Sequence, residues 1–398
     1  MNTDPKHNIV ILGAGYAGMI AALRLAGKVK NVDATLINAR EGFVQRIRNH
    51  QLVAQQDIHH YSIPKLLGKR PVRFVQGWAT GIHLDQRTVE VDSGEIIPYD
   101  KLVYALGSVA AKPNIPGVGE HTYAVGNFDE AEALRERIAQ LPAGARAVVI
   151  GGGLTGIEMA TELAESRPDL RVRLVTNGIV GKNLSERGRA YIRKTFADLK
   201  LDLTENTFVQ KIDAGNLVTE NGSIPFDVCI WAGSFGVPAL ARESGLAVNG
   251  MGQVRVDSLL RSVSHPDVYA VGDSAVFADR TPLRMACATA VPMGAHAADN
   301  LAAWVAGKPQ QPFRFYYGGQ CISLGRNRAL VQLVDKDDQS QERVITGFAG
   351  KLFKESISQF TVWALKFERT LPGSLWWPGK NSRMTDQDIQ QAKQPVSS

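Results

Sequence analysis

A glycine-rich turn that occurs twice constrains the fold of this chain more than any other feature of its sequence. Residues 13–18, Gly-Ala-Gly-Tyr-Ala-Gly, follow an apolar run and open an Ala- and Leu-rich segment. Residues 151–156, Gly-Gly-Gly-Leu-Thr-Gly, repeat that context. In such a strand–turn–helix unit the first glycine permits the turn, the second lets the backbone approach a pyrophosphate, and the third lets the helix pack closely on the strand. Two such units predict two dinucleotide sites.

Composition excludes several other kinds of protein. The 398 residues are 44% hydrophobic and 21% charged, an ordinary globular mixture for two or three domains. The net charge is +6, but Lys and Arg are spread along the chain, so we expect no nucleic acid partner. Three widely separated cysteines favour neither a disulfide framework nor a metal site. A polar start and the lack of a long apolar run predict a cytoplasmic protein, or one peripheral on the inner face of a membrane.

Two segments near the first turn carry polar groups suited to a dinucleotide. An acidic residue usually binds the ribose hydroxyls where the second strand ends, but Asn38 stands there, and its amide oxygen can still accept a hydrogen bond from a hydroxyl. Arg40 either stacks on an adenine or reaches a phosphate, or it is a solvated loop residue. Arg46, Arg48 and His50 form a basic stretch that either faces a cofactor or covers a solvated helix face.

The strand that follows the second turn also ends without the usual acidic residue. Asn177 replaces the carboxylate usual for NADH, so a 2′-phosphate is not repelled, and Arg173 or Lys182 can attract one. A nicotinamide cofactor is expected, with NADH and NADPH both open. Glu158 either faces the nicotinamide ribose or is a first-turn acid that favours the helix dipole. A later buried strand ends at Gly233.

The rest of the chain is expected to hold short strands and one Ala-rich helix. Residues 72–97 alternate in short segments, which predicts a small antiparallel meander. Residues 268–273 predict a strand that ends in Gly272-Asp273, which is either a cofactor contact or a surface turn. The helix predicted over residues 285–304 can direct an N-terminus near Pro292 at a bound cofactor.

An apolar stripe marks the C-terminal part. Apolar residues recur at spacings of four and three over residues 353–371, as on one face of a helix. Trp363, Trp376 and Trp377 stand near basic residues, a combination typical of a helix that lies on a membrane. The alternative is that the stripe packs on the protein body or on a second subunit of a homodimer.

Four motifs in this order resemble one known family, the flavoproteins with two dinucleotide-binding domains, and within it the type II NADH dehydrogenases. They are residues 13–18, 104–108 (Tyr-Ala-Leu-Gly-Ser), 151–158, and 268–273 with the Ala-rich helix after it. The resemblance implies an α/β fold with two Rossmann-like three-layer domains, the second inserted in the first, and a C-terminal α+β region. It assigns residues 1–112 and 252–312 to an FAD-binding domain, 113–251 to an NAD(P)H-binding domain, and 313–398 to a region that binds a membrane or a second subunit.

The motifs and strand ends together give the candidate site. Residues expected to bind FAD lie at the first turn, at nearby strand ends and at the Gly-Asp motif: Gly13, Gly15, Tyr16, Ala17, Gly18, Asn38, Ala39, Arg40, Arg46, Ala79, Ala105, Leu106, Gly107, Gly272, Asp273 and Pro292. Residues expected to bind NADH or NADPH lie around the second turn: Gly151, Gly153, Leu154, Thr155, Gly156, Glu158, Asn177 and Gly233. No catalytic side chain is assigned, because a hydride passes directly between two stacked rings.

The resemblance implies an FAD-dependent NAD(P)H dehydrogenase that passes electrons to a quinone or another small acceptor. Pro292 and Met293 depart from the glutamines that quinone-reducing members carry there. Cys287 and Cys321 are not placed like the cysteine pair of sulfide:quinone reductases, so buried, unreactive thiols are expected. The alternatives are a redox-responsive interaction protein like apoptosis-inducing factor, and a soluble flavin reductase or oxidase of a specialised metabolite.

Overall fold

The computed structural model of the protein describes residues 6–111 and 113–380, so parts of the predicted terminal domains lie outside it. The first part holds β1 (His7–Leu12), α1 (Tyr16–Lys28), β2 (Val32–Asn38), β3 (Gly42–Phe43), α2 (Asn49–Val53), β4 (Tyr61–Ser62), α3 (Ile63–Leu67), β5 (Val72–Gln76), β6 (Ala79–His83), β7 (Thr88–Val91), β8 (Ile96–Pro98), β9 (Lys101–Tyr104) and β10 (Val109–Ala110). The middle part holds α4 (Val118–His121), β11 (Tyr123–Ala124), α5 (Phe128–Ala139), β12 (Arg146–Ile150), α6 (Leu154–Ser166), β13 (Arg171–Val175), α7 (Glu186–Asp198), β14 (Asp202–Thr204), β15 (Val209–Asp213), β16 (Asn216–Thr219), β17 (Gly222–Pro225), β18 (Val228–Trp231), β19 (Phe235–Gly236) and α8 (Leu240–Glu243). The last part holds β20 (Val254–Val256), β21 (Val268–Ala270), β22 (Ala275–Phe277), α9 (Cys287–Val305), β23 (Gly319–Ser323), β24 (Ala329–Val334), β25 (Ser340–Thr346) and α10 (Gly347–Thr370).

A five-stranded parallel sheet organises the first unit. Its strand order is β21-β9-β1-β2-β5, with Ile9 of the central strand opposite both Ala34 and Lys101. Helix α1 packs against α9 and α10. The antiparallel sheet β6-β7-β8 contributes Val89 and Ile97 to the same core. This unit therefore has helix, sheet and meander layers.

A second five-stranded parallel sheet repeats this plan. Its order is β11-β18-β12-β13-β14, and apolar residues of α5, α6 and α7 pack against it. The antiparallel sheet β15-β16-β17 packs with Val148, Ile150 and Trp231 of the parallel strands. All five strands come between β9 and β21 in the chain, so the second unit is inserted in the first. The predicted α/β fold class is confirmed.

The C-terminal part connects both units. Its sheet, β23-β24-β25, is followed directly by α10. The carboxylate of Glu342 accepts hydrogen bonds from the backbone amides of Glu186 and Arg187, each at 3.0 Å, at the start of α7. An anionic group at a helix N-terminus is favourable because it satisfies free amides and opposes the positive end of the helix dipole. This contact fixes the C-terminal sheet on the second unit.

Two details of the predicted elements are wrong. Residues 72–75 belong to β5, which pairs in parallel with β2 rather than joining the meander. An edge strand of a parallel sheet is half exposed and alternates in hydrophobicity like a meander strand, so the pattern did not separate the two. The Ala-rich helix begins at Cys287, and Pro292 lies inside it. The helix starts early because the amides of Thr289 and Ala290 already donate to the carbonyl of Ala286.

A buried ionic cluster attaches α10 to the first unit. The Nη1 of Arg24 on α1 lies 2.8 Å from the Oε1 of Glu368 on α10, and neither side chain is exposed. The same guanidinium donates two further hydrogen bonds, both at 2.8 Å, to the carboxylate of Asp299 on α9. Removing one partner of such a pair leaves a buried charge without compensation, which costs about 3–5 kcal/mol.

We expect Arg24→Met to lower the free energy of unfolding by about 3–5 kcal/mol, because Glu368 would remain buried without a cation. Urea denaturation followed by circular dichroism measures this change. Lys194→Met, which removes an exposed pair with Asp198, is the control and should change stability by less than about 1 kcal/mol. Equal effects of the two substitutions would contradict the stabilising role of the buried cluster.

Candidate functional site

The two glycine turns have the same local geometry. A Cβ on Gly18 would lie 1.8 Å from the carbonyl oxygen of Gly13, and a Cβ on Gly156 would lie 1.9 Å from that of Gly151. The third glycine of each motif therefore permits the close contact between helix and turn. A Cβ on Gly15 or Gly153 would meet nothing within 4 Å. The second glycine of each motif thus borders open space, as approach of a pyrophosphate requires.

One continuous cavity of about 2260 Å³ joins the two turns. Its walls include every residue that the sequence predicted for the two dinucleotides except Gly18 and Gly156, which face the backbone of their own turns. The carboxyl ends of β1, β2, β9, β12, β13 and β18 all reach this cavity, as is usual where ligands bind in open α/β sheets. The predicted residues are therefore brought together.

Asn38 ties the end of β2 to the first turn. Its Oδ1 accepts a hydrogen bond of 2.9 Å from the amide of Ala14, and its Nδ2 donates to the carbonyl of Arg40 at 2.8 Å. Arg40 itself forms an ion pair with Asp129, and its guanidinium lies over the ring of Phe128. Asn38 therefore has a structural role beside the predicted ribose contact, and Arg40 is not a freely solvated loop residue.

Arg46 lies between the first turn and the Gly-Asp motif. Its Nη1 donates to the carbonyl oxygen of Ser108 at 2.6 Å, and the hydroxyl of Ser108 donates to Asp273 at 2.5 Å. Its Nη2 is buried and has no hydrogen-bond partner among the described residues. Gly272 is buried, and Gly272 and Asp273 both line the cavity, so the alternative of a surface turn is wrong. A cationic donor without a partner fits an anionic or carbonyl group of a cofactor.

At the second turn, Asn177 and Gly233 line the cavity as predicted. Lys182 also lines it, whereas Arg173 is outside the cavity wall and pairs with Asp202 at 3.1 Å. Of the two cations proposed for a 2′-phosphate, only Lys182 is therefore placed to meet a nucleotide.

Glu158 belongs to a largely buried ionic cluster on the wall of the cavity. Its Oε1 lies 2.8 Å from the Nζ of Lys354 on α10, and the amide of Ser323 donates to it at 2.9 Å. Burial raises the pKa of Glu158, but Lys354 and the hydrogen bonds outweigh burial and hold that pKa below its usual value. The same pairing raises the pKa of Lys354 against the effect of burial. Glu158 is the fifth residue of α6, so the alternative of a first-turn acid is wrong.

His50 completes this cluster from the first unit. Its Nδ1 lies 3.9 Å from Glu158, and its Nε2 is buried with no partner among the described residues. Burial lowers the pKa of His50 to about 4, so the ring is neutral at neutral pH. Arg48 is also buried and pairs with Glu355 at 2.6 Å. The expectation of a solvated helix face is therefore wrong for both residues.

The cysteines divide into two kinds. Cys229 is buried in β18. Cys287 and Cys321 are half-buried and line the cavity near Lys354. Burial raises the pKa of Cys287, and it raises that of Cys321 to about 11, so both thiols stay protonated at neutral pH.

The C-terminal helix contributes a wall that the sequence motifs did not reveal. Lys354, Phe353, Ile357 and Phe360 of α10 line one end of the cavity, together with Trp376. None of these residues belongs to a local motif. The amphipathic pattern of α10 was the available signal, but it gave no information on what the helix contacts.

Comparisons with known proteins identify the family. The sequence model for the pyridine nucleotide-disulphide oxidoreductases matches residues 7–300. A NADH dehydrogenase-like protein of Mycobacterium tuberculosis is 28% identical over 378 residues, covering 88% of this chain and 92% of the relative. The type II NADH:quinone oxidoreductase of Staphylococcus epidermidis is 28% identical, with 81% and 88% covered. The demethylphylloquinone reductase of Synechocystis is 26% identical, with 83% and 87% covered.

Solved structures share the fold. The sulfide:quinone oxidoreductase of Aquifex aeolicus superposes with a TM-score of 0.78 at 21% identity, covering 92% of this chain and 93% of the other. NDH2 of Plasmodium falciparum in complex with NADH gives a TM-score of 0.77 at 15% identity, covering 92% and 97%. The resemblance drawn from the four motifs is thus confirmed. With two dinucleotide-type turns on one cavity and a family match across most of its length, the chain belongs to the pyridine nucleotide-disulphide oxidoreductases.

Proposed function

We propose that the protein is an FAD-dependent NAD(P)H dehydrogenase that reduces a quinone. This proposal rests on one observation: a single cavity extends from both glycine turns to apolar side chains of α10. A flavin bound there supplies the two-electron chemistry, taking a hydride from the nicotinamide and passing electrons to the acceptor. Relatives named for NADH and quinone support the same assignment.

We assign FAD to the first turn and NAD(P)H to the second. The FAD-binding domain then comprises residues 1–112 and 252–312, and the NAD(P)H-binding domain comprises residues 113–251. The chain reaches the first turn again through Gly272 and Asp273, which lie beside Arg46. The buried Nη2 of Arg46 is a donor for the cofactor. The first turn of α9, at Cys287, borders the cavity, so the positive end of the helix dipole lies near a developing negative charge.

Glu158, Lys354 and His50 all line the cavity that would hold the two cofactors. The ion pair between Glu158 and Lys354 closes the space between the second unit and α10. Because both charges are compensated and the ring of His50 is neutral, this part of the cavity wall carries little net charge. A wall of low net charge suits a stacked pair of rings.

Anaerobic titration with NADH and then with NADPH tests the activity. We expect the yellow protein to bleach with at least one of them, and a soluble quinone to restore the flavin absorbance. If NADPH reduces the protein, Lys182→Ala should raise the KM for NADPH and leave that for NADH unchanged, since Lys182 is the cavity cation near Asn177. Purified protein without flavin would refute the proposal.

The second glycine of each turn, Gly15 or Gly153, gives one of a matched pair of variants. Gly15→Ala fills the first cradle without touching protein atoms, so we expect loss of most bound FAD with little change in folding. Gly153→Ala fills the second cradle, so we expect normal FAD content and a KM for NAD(P)H raised about tenfold or more. Flavin absorbance and steady-state kinetics measure these effects. The opposite pattern, with FAD lost from Gly153→Ala and the KM for NAD(P)H raised in Gly15→Ala, would show that the two cofactors bind at each other's assigned turns.

We further propose that α10 lies on a membrane surface, where quinones dissolve. Exposed apolar side chains form a continuous row along it, and Trp376 follows: Phe348, Leu352, Phe353, Ile357, Phe360, Trp363, Phe367 and Leu371 are all 39–75% exposed. Only Ala364 of the predicted stripe is fully buried, and the exposure of its other members argues against packing on the protein's own body. Among the described residues, no helix is long and apolar enough to cross a bilayer.

Co-sedimentation with anionic vesicles tests this proposal. The double substitution Trp363→Ser and Phe367→Ser should abolish vesicle binding and leave reduction of a soluble quinone unchanged, because neither residue lines the cavity. Ile96→Ser, which removes an exposed apolar residue of β8, is the control and should bind vesicles normally. A protein that ignores vesicles but whose dimer is broken by the double substitution would assign the stripe to a subunit interface.

A further inference from the structure

Glu162 is a buried carboxyl group that the proposed reaction has not yet used. It lies one turn beyond Glu158 on α6 and is 1% exposed. Its Oε1 accepts a hydrogen bond from the Nε2 of Gln56, at the end of α2. Its Oε2 is buried and has no partner among the described residues. An ionised carboxylate is costly in such a place, whereas a protonated one has a hydroxyl ready to donate.

The groups around Glu162 make its protonation change near neutral pH. Burial raises the pKa of Glu162 to about 7, and the neighbouring carboxylates of Glu165 and Glu158 act in the same direction. The hydrogen bond from Gln56 and the charge of Arg326 act in the opposite direction without cancelling burial. The side chain can therefore take up and release a proton under ordinary conditions.

Three carboxyl groups form a row from the surface to the cavity. Glu165 is half-exposed and accepts hydrogen bonds from the amide of Arg326 and from the side chain of Asn327. Glu162 is three residues before it, and Glu158, four residues earlier still, lines the cavity. Residues three and four apart lie on one face of a helix with their Cβ atoms about 5–6 Å apart. Rotation of a carboxyl group or one bridging water spans such a gap.

We propose that Glu162 relays protons from the surface at Glu165 to Glu158 at the cavity, and so to the oxygen of the reduced acceptor. The relay rests on the proposed quinone reduction. A hydride brings two electrons and one proton, so formation of a quinol from a quinone consumes one further proton from solvent. Glu162 gives one proton to Glu158, which passes it to the acceptor oxygen and is ionised again. Glu162 then regains one proton from the surface side, so both carboxyl groups return to their starting states. Glu162 therefore positions the proton for transfer and does not itself contact the cofactors.

Separate measurement of the two half-reactions tests the relay. Protein reduced anaerobically by NADH is mixed with a soluble quinone at several pH values around 7, and flavin absorbance is followed. We expect the reoxidation rate of the wild-type protein to fall as pH rises through the pKa of Glu162. Glu162→Gln should reoxidise about tenfold more slowly or worse, without that pH dependence. Its reduction by NADH should stay within about twofold of wild type.

Further variants separate the relay from a structural role. Glu162→Asp keeps a titrating carboxyl group and should recover part of the rate and the pH dependence. Glu136→Gln removes an exposed carboxylate of α5 and should behave as wild type. Infrared spectra of the protein without NADH should show a protonated carboxyl band below pH 7 that Glu162→Gln lacks.

Three outcomes would overturn the relay. Glu162→Gln with the wild-type reoxidation rate and pH profile would exclude it directly. Equal slowing of reduction and reoxidation, with the pH profile unchanged, would show that Glu162 only supports the fold. A wild-type protein that NADH reduces but quinone does not reoxidise would refute quinone reduction itself, and the relay with it.

Discussion

The ion pair between Glu158 and Lys354 is the contact on which the centre of the molecule depends. Glu158 stands on the helix that follows the second glycine turn, Lys354 stands on α10, and His50 approaches from the first unit at 3.9 Å. A buried charge is stable only when it is paired and hydrogen-bonded. The pair therefore joins the second unit and α10 at the cavity wall, with His50 of the first unit beside it.

The parallel sheets and the attachment of α10 hold in place the parts of the chain that meet at this ion pair. The parallel sheets fix the two glycine turns at their carboxyl ends, and the Gly18 and Gly156 positions allow backbone contacts that any side chain would prevent. The C-terminal helix is held by the buried Arg24–Glu368 pair on one side and by Lys354 on the other. Its remaining face stays apolar and exposed, so the helix that lines the cavity also carries the surface on which the proposed membrane contact rests.

Two carboxyl groups of α6, Glu158 and Glu162, differ in their ability to supply a proton. Glu158 has a cation at 2.8 Å and stays ionised, whereas Glu162 one turn away has only an amide donor and titrates near neutrality. The difference comes from their partners, since both side chains stand on the same helix and are largely shielded from solvent. Two carboxyl groups with separated pKa values can serve different roles in one reaction.

The sequence by itself determined the two dinucleotide turns, the α/β fold class and the residues around each turn. These follow from local requirements: a glycine is needed where backbone meets backbone, and buried parallel strands are apolar throughout. Tertiary structure alone decided that β5 joins the sheet, that Arg48 and His50 are buried, and that Lys354 reaches Glu158 from 196 residues away. Partners so distant in sequence leave no periodic or local signal, because only the folded chain brings their charges within reach of each other.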